Sequence, residues 1–244
     1  VDQPDLTPPR FFFSPPAMPC PYLPGQTERK VVTTLSGSDV DGLHNSLSLA
    51  GFRRSHNIAY TPACLGCSAC IPVRINATDF VMTRSFRRTR DMNTSLRGTL
   101  EKPEATVEQY HLFSRYENDR HSDSDMALMG FFEYRAMIED SPIETSLAMF
   151  RDPEGQLVAA CLVDHLNDGF SAVYSFFDTT LPAQRSLGTW IVLWLVEECQ
   201  RQNLPYVYLG YWVNGSRKMD YKRRFRPLEA LGPDGWAPLT IPDP

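Results

Sequence analysis

Residues 173–190 read VYSFFDTTLPAQRSLGTW. The first part, up to Phe177, is β-branched and aromatic and predicts a strand that Asp178 and the following Thr-Thr-Leu-Pro break. From 182 to 203, PAQRSLGTWIVLWLVEECQRQN is apolar on most sides near its middle and predicts a long buried helix. PYVYLGYW then predicts a further strand. Upstream, TSLAMFR, QLVAACLVDHL and FSAVYSFF predict three strands joined by the turn sequences DPEG and NDG. Before them, PEATVEQYHLFSRYENDRH has Pro103 near a helix start and Val107, Tyr110, Phe113 and Tyr116 at helical spacing. A second helix is expected over SDMALMGFFEYRAMIE. This order of helices, meander, helix, strand, basic amphipathic segment and closing turn predicts an α+β fold, with a GNAT-like acyltransferase domain at 96–244.

The preceding residues, 1–95, are expected to form a small cysteine-bearing N-terminal domain. Its first thirty or so residues are rich in Pro and Phe and read as irregular. SDVDGLHNSLSLAGF (38–52) predicts a helix with Ser38 as N-cap and Gly51 at its stop. A strand is expected within IPVRINATDFVM, and TRSFRRTRDMNTSLRG reads as a basic connector.

The 244 residues are 42% hydrophobic and 22% charged, ordinary for a globular chain with a real core. With 24 Lys and Arg against 29 Asp and Glu, the net charge of −5 excludes a molecule that is basic overall, so nucleic-acid binding requires a local patch. No signal-peptide pattern opens the chain, and the longest apolar run, WIVLWLV, is too short to span a bilayer. A cytoplasmic protein with no membrane partner is the expectation.

In a reducing compartment, clustered cysteines bind metal or do chemistry more often than they form disulfides. YTPACLGCSACIPVRI (60–75) sets Cys64, Cys67 and Cys70 at successive three-residue steps, and Cys20 stands upstream in MPCPYLPGQ. Three close cysteines with a distant fourth resemble iron–sulfur ligation more than paired zinc knuckles. An iron–sulfur cluster, zinc or an empty thiol set all remain open; buried thiols pack as small hydrophobes. Cys161 and Cys199 fall in core elements, and the histidines show no ligand spacing.

Two basic runs offset the acidic total: RSFRRTR, with Arg84 and Arg87, and RKMDYKRRFR, with Lys218, Lys222, Arg223 and Arg224 around Tyr221. Such runs contact phosphates while aromatics stack on unpaired bases. At the start of the 182–203 helix, Arg185 and Gly188 fit half of the GNAT coenzyme A loop, whose backbone N–H groups hold pyrophosphate. Trp190 stands where a second small residue is usual.

The blocks PCPYLPGQTERKV, GFRRSHNIAYTPACLGCSACIPVRI, RSFRRTRDMN, VYSFFDTTLPAQRSLGTW and YVYLGYWVNGSRKMDYKRRFRPLE together resemble the aminoacyl-tRNA–protein transferases of the N-degron pathway. The closer likeness is to the bacterial aspartate/glutamate leucyltransferase branch, and it runs from about Arg10 to Trp236. The resemblance implies transfer of leucine from leucyl-tRNA to the α-amine of proteins beginning with Asp or Glu. It also implies a GNAT-like C-terminal domain in which an aminoacyl ester replaces the thioester. Eukaryotic relatives have Cys-x-x-Cys at the first site; here Leu23 follows Cys20 at that spacing, so Cys20, Cys64, Cys67 and Cys70 form the expected set.

Aminolysis of an ester needs no cofactor, only a positioned and deprotonated amine. Asp178 is the expected amine-orienting or acid–base group, with Tyr174 and Ser175 near the ester carbonyl. A carboxylate side chain on the acceptor calls for arginine, with Arg74, Arg84 and Arg87 as candidates. Lys218, Tyr221, Lys222, Arg223 and Arg224, with Arg185 and Gly188, are assigned to the tRNA donor. The alternatives are arginyl-tRNA as donor, a coenzyme A-dependent acyltransferase, and a non-catalytic tRNA-binding sensor.

Overall fold

A computed structural model describes residues 10–240. The chain begins with β1 (Met18–Pro19), β2 (Thr27–Glu28) and β3 (Lys30–Thr34), followed by α1 (Val40–Leu49), β4 (Arg53–Ser55) and β5 (Ile58–Pro62). Next come β6 (Cys70–Asn76), α2 (Arg84–Asp91), β7 (Arg97–Glu101), α3 (Val107–Arg120) and α4 (Phe131–Glu139). The expected meander is β8 (Thr145–Arg151), β9 (Leu157–Leu166) and β10 (Gly169–Phe177). It leads through α5 (Leu187–Arg201) to β11 (Tyr206–Val213), β12 (Leu228–Gly232) and β13 (Gly235–Pro238).

The architecture is α+β, and the meander, the long helix and the strand after it follow in the expected order. An eight-stranded sheet runs β13-β12-β6-β11-β10-β9-β8-β7, and its one parallel pair is β10–β11, joined by α5. Parallel neighbours require such a crossover, which buries the connecting helix on a sheet face. On one face α5 and α2 pack Phe86, Leu187, Ile191 and Leu195 against Val158, Cys161 and Val163 of β9. On the other, α3 and α4 pack Leu112, Phe113, Tyr134 and Ile138 against Ala160 and Leu162. Strand β9 is covered on both sides, which explains its nearly unbroken apolar run.

A separate three-stranded sheet, β3-β5-β4, carries α1. Polar contacts tie this unit to the large sheet, among them three at β8 and β9 and the turns beside them. Arg54 of β4 forks onto Asp164 of β9, with Nε at 2.9 and 3.0 Å from the two carboxylate oxygens. Asp41 accepts from the Glu144 amide at 2.9 Å, and Asn45 from the Asn167 amide at 2.6 Å. β6 and α2, which precede the expected boundary at residue 95, lie within the large sheet and its core.

Local differences from the sequence expectations have simple causes. The stretch read as a basic connector contains α2: Thr83 caps it by accepting from Phe86 N, and only Phe86 and Thr89 are buried, so its apolar stripe is too thin to register. The helix expected across 124–139 divides, a 3₁₀ turn at Asp125–Leu128 preceding α4, because Gly130 opens α4 with its N–H bonded to the Glu133 carboxylate at 2.6 Å. Asp39 rather than Ser38 caps α1, accepting from Gly42 N at 3.1 Å. The basic amphipathic segment is a 3₁₀ helix, Arg217–Arg224.

Candidate active site

Strands β10 and β11 pair only from Gly169–Ser171 against Tyr206–Tyr208. Beyond that point each follows its outer neighbour, and both carry register shifts where they part, at Val173 and at Leu209. The opening between them is continuous with a cavity of about 1030 Å³. Its walls come from β10, the turn after it, the first turn of α5, β4, α3 and the 3₁₀ helix at Arg217–Arg224. The stretch 173–190 therefore contributes strand, turn and helix entrance to one concave surface.

Ser186, at φ +48°, turns the chain into α5, whose first recorded backbone bond is from Trp190 N to Ser186 O at 2.9 Å. The preceding N–H groups, at positions 187–189, are the unpaired donors any helix start leaves, and those residues line the cavity. Gly188 keeps this entrance open: a β-carbon there would stand 3.3 Å from the Phe177 ring. Trp190 is buried in the core and does not obstruct the approach. Arg185 does not line the cavity; its guanidinium clamps the end of α2, donating from Nε to Asn93 Oδ1 at 3.1 Å.

Of the expected chemical groups, Tyr174, Ser175 and Asp178 all line the cavity. Tyr174 donates its hydroxyl proton to Glu117, a wholly buried carboxylate of α3 that also accepts from Ser124. Burial, then Glu117, hold the Tyr174 phenol well above its ordinary range. Asp178 Oδ1 accepts from the amide and hydroxyl of Thr180, at 2.9 and 2.6 Å, so this carboxylate organises the turn at the cavity rim. Glu117 has no marker in the sequence beyond its place in a predicted helix.

The arginines expected to bind an acceptor carboxylate do not meet the cavity. Arg74 lies on β6, its Nε 2.8 Å from Glu229, with its guanidinium carbon 3.5 Å from the Tyr206 ring centroid and 4.4 Å from that of Trp236. Arg84 and Arg87 are exposed on α2. Phe86 stacks on Phe225 at 4.9 Å, and Arg224 reaches Ser85 Oγ at 3.5 Å, so the two basic runs of the sequence share one face. On that face Arg84, Arg87 and Arg224 are exposed, while Arg223 is paired with Asp220 at 2.9 Å. Lys218 and Tyr221 line the cavity.

Lys222 is not on the basic face. It is only 5% exposed, lines the cavity and donates from Nζ to the Tyr211 carbonyl at 2.6 Å. Burial and then the nearby Arg53 bring its ammonium down to about 7. Arg53 was not singled out by the sequence. From β4 it spans the opening of the parallel pair, Nη2 donating to Ala172 O and Val173 O at 3.1 and 3.0 Å.

The cysteines stand apart from this chemistry. Cys20 Sγ accepts from Leu23 N and Cys64 Sγ from Arg29 N, both at 3.4 Å. Burial, followed by the charges of Cys20, Cys64 and Cys67, pushes the Cys70 thiol up to about 11, so the four share one neighbourhood. Among the described residues, however, no three His, Cys, Asp or Glu side chains are placed to hold a metal ion. As placed, the four thiols share a neighbourhood without converging on one point, so the expected ligand set is not assembled among the described residues.

No helix is long and apolar enough to cross a membrane among the described residues. Residues 18–88 match the family model described as arginine-tRNA-protein transferase, N terminus, and residues 108–232 match its C-terminal counterpart. The aspartate/glutamate leucyltransferase of Rhodospirillum rubrum is 59% identical over 97% of this chain and 96% of its own. That of Paramagnetospirillum magneticum is 60% identical over the same shares, and that of Granulibacter bethesdensis is 54% identical over 99% of this chain and 90% of its own. Among solved structures, L-PGS from Bacillus licheniformis has a TM-score of 0.47 and 12% identity, covering 62% of this chain and 49% of that one. Matched by both family models and by relatives along nearly its whole length, the chain belongs to the arginine-tRNA–protein transferase family.

Proposed function

We propose that this protein is an aminoacyltransferase that moves leucine from leucyl-tRNA onto the α-amine of proteins beginning with Asp or Glu. The observation that carries this reading is the 59–60% identity, over 97% of the chain, to relatives that bear the name aspartate/glutamate leucyltransferase. The cavity supports it. Arg53, Arg120, Lys218 and Lys222 line it, with Asp178 the one carboxylate among the lining residues, an environment suited to an acidic acceptor and a phosphate-bearing donor.

In the reaction, the neutral α-amine of the acceptor attacks the ester carbonyl carbon of leucyl-tRNA. The ester C–O bond breaks, an amide forms, and the proton lost from nitrogen ends on the departing ribose oxygen. An α-amine has a pKa of about 7.7–8.0, so a useful neutral fraction exists near pH 7 and positioning supplies much of the acceleration. Asp178 at the rim orients this amine. Tyr174 is committed to Glu117, so Ser175 is the strand residue free to meet the ester carbonyl. The N–H groups at the start of α5, beside Gly188, suit the terminal phosphate of the donor. The exposed basic face with Arg84, Arg87 and Arg224 extends this surface for the acceptor stem of the tRNA.

Leucine rather than arginine fits the apolar wall. Met126, Met129, Met137 and Leu162 line one side of the cavity, and methionines adapt to a branched aliphatic guest. An arginyl donor requires a carboxylate at that wall; Glu117 is fully buried and taken by Tyr174 and Ser124.

The test is transfer of radiolabelled leucine, and in parallel arginine, from charged tRNA to peptides beginning with Asp, Glu or Ala. Label from leucine on the acidic peptides alone is expected. Arginine on the same peptides overturns the donor assignment, and no transfer of either overturns the reaction.

A further inference from the structure

Two cations at the opening of the β10–β11 pair have no carboxylate partner among the described residues. Arg54 and Arg74, the buried arginines, are ion-paired with Asp164 and Glu229. By contrast, neither Arg53 nor Lys222 has a carboxylate within 4.0 Å among the described residues; their recorded hydrogen bonds go to the main-chain oxygens of Ala172, Val173 and Tyr211. Successive residues of a strand point to opposite faces, so Arg54 turns to Asp164 while Arg53 turns to the cavity. Gly210 makes room for it: at φ +70°, a β-carbon there would stand 1.4 Å from Arg53 Nη1. The fold thus reserves space for an arginine, ties it with one nitrogen and gives it no counterion.

We infer that Arg53 and Lys222 form the subsite that binds the side-chain carboxylate of the acceptor's N-terminal Asp or Glu. The inference rests on the leucyl-transfer reading and names the specificity device within it. A buried cation is stable when paired and hydrogen-bonded, and unfavourable otherwise. Here the missing partner is an anion from outside the chain. The Arg53 fork retains donors for bidentate capture, and the flexible lysine closes on the second oxygen at either side-chain length. A carboxylate between them also restores to Lys222 the charge that burial and Arg53 disfavour. An Asn or Gln side chain supplies no such charge, although its shape is the same.

The test compares leucine transfer to peptides identical except for a first residue of Asp, Glu, Asn or Gln, together with calorimetric titration of the Asp and Asn peptides without donor. The wild type is expected to prefer the acids. In Lys222→Met and Arg53→Gln, kcat/KM for the acidic peptides is expected to fall by about 30-fold or more, the scale of a lost desolvated charge pair, with the preference over Asn lost. Lys222→Arg should restore part of it. Arg53→Gln removes two main-chain anchors, so if that variant does not fold, Lys222→Met and its arginine rescue decide. If the wild type transferred no leucine, the transfer reading would fall, whereas the subsite is judged by the titration. Equal affinity for Asp and Asn peptides, or a folded Lys222→Met that keeps the Asp preference, overturns it.

Discussion

Lys222 lies among Lys218, Arg223 and Arg224 in a run that reads as uniformly solvated, yet it is buried and its neighbours are not. Its ammonium falls from 10.5 to about 7, chiefly through burial. In the unfolded chain it titrates near 10.5, so between about pH 7 and 10.5 the unfolded state holds the proton more tightly and stability rises with pH. Below pH 7 the folded protein must protonate a buried amine and carries the full penalty. The stability of the wild type relative to Lys222→Met is therefore expected to increase by roughly 2 kcal/mol from pH 7 to pH 9, measured by urea denaturation at each pH. A flat difference would show that the amine is solvated. No residue-level pattern separates Lys222 from its neighbours, because burial of one cation among these four depends on what packs over it. The same holds for Arg53, half of an Arg-Arg pair whose members face different chemistry.

At the scale of elements, the most deeply buried of the polar contacts that seat the three-stranded sheet on the large one is ionic. Arg54 of β4 reaches across to Asp164 of β9, a residue with no exposed surface, and His44 Nε2 of α1 lies 3.5 Å from the same carboxylate. Removing one partner of such a buried pair leaves a charge in a low-dielectric site. Asp164→Asn is expected to lower unfolding stability by about 3–5 kcal/mol, seen as a fall in the denaturation midpoint with an unchanged slope. A loss below about 1 kcal/mol would mean that the pair is exposed to solvent. The elements themselves were largely legible. α1, α3, α5 and the strands β8 to β10 follow from periodicity and turn chemistry, because each buries a wide apolar face. Helix α2 was not legible, since Phe86 and Thr89 alone face inward and four arginines surround them.

For the whole molecule, a net charge of −5 coexists with a basic face whose two segments meet across a sequence separation of 139 residues. The Phe86–Phe225 stack joins them, so Arg84, Arg87 and Arg224 present one surface although the chain separates them. Phosphate binding releases counterions, and each lost contact lowers the salt slope. Single alanine substitutions at Arg84, Arg87 or Arg224 are expected to reduce the slope of log affinity for leucyl-tRNA against log salt by about 1 each. Arg223→Ala, where the guanidinium is already paired with Asp220, should change it less. Equilibrium binding over a range of salt concentrations checks both, and unaltered slopes at all of the first three positions would remove this face from the tRNA interface.

The stretch 173–190 determined by itself the strand, the turn and the buried helix that frame the cavity, because strand composition, a proline-bearing turn and an apolar helix are local signals. It also placed Tyr174, Ser175, Asp178 and Gly188 on that frame, and all of them line the cavity. The tertiary structure alone decided which cations face inward and which are already paired. That β10 and β11 part after three paired positions, and that Arg53 and Lys222 both line the cavity there, depends on register and on packing between segments distant in the chain. Charge is a property of a residue, whereas the presence or absence of a counterion is a property of the fold.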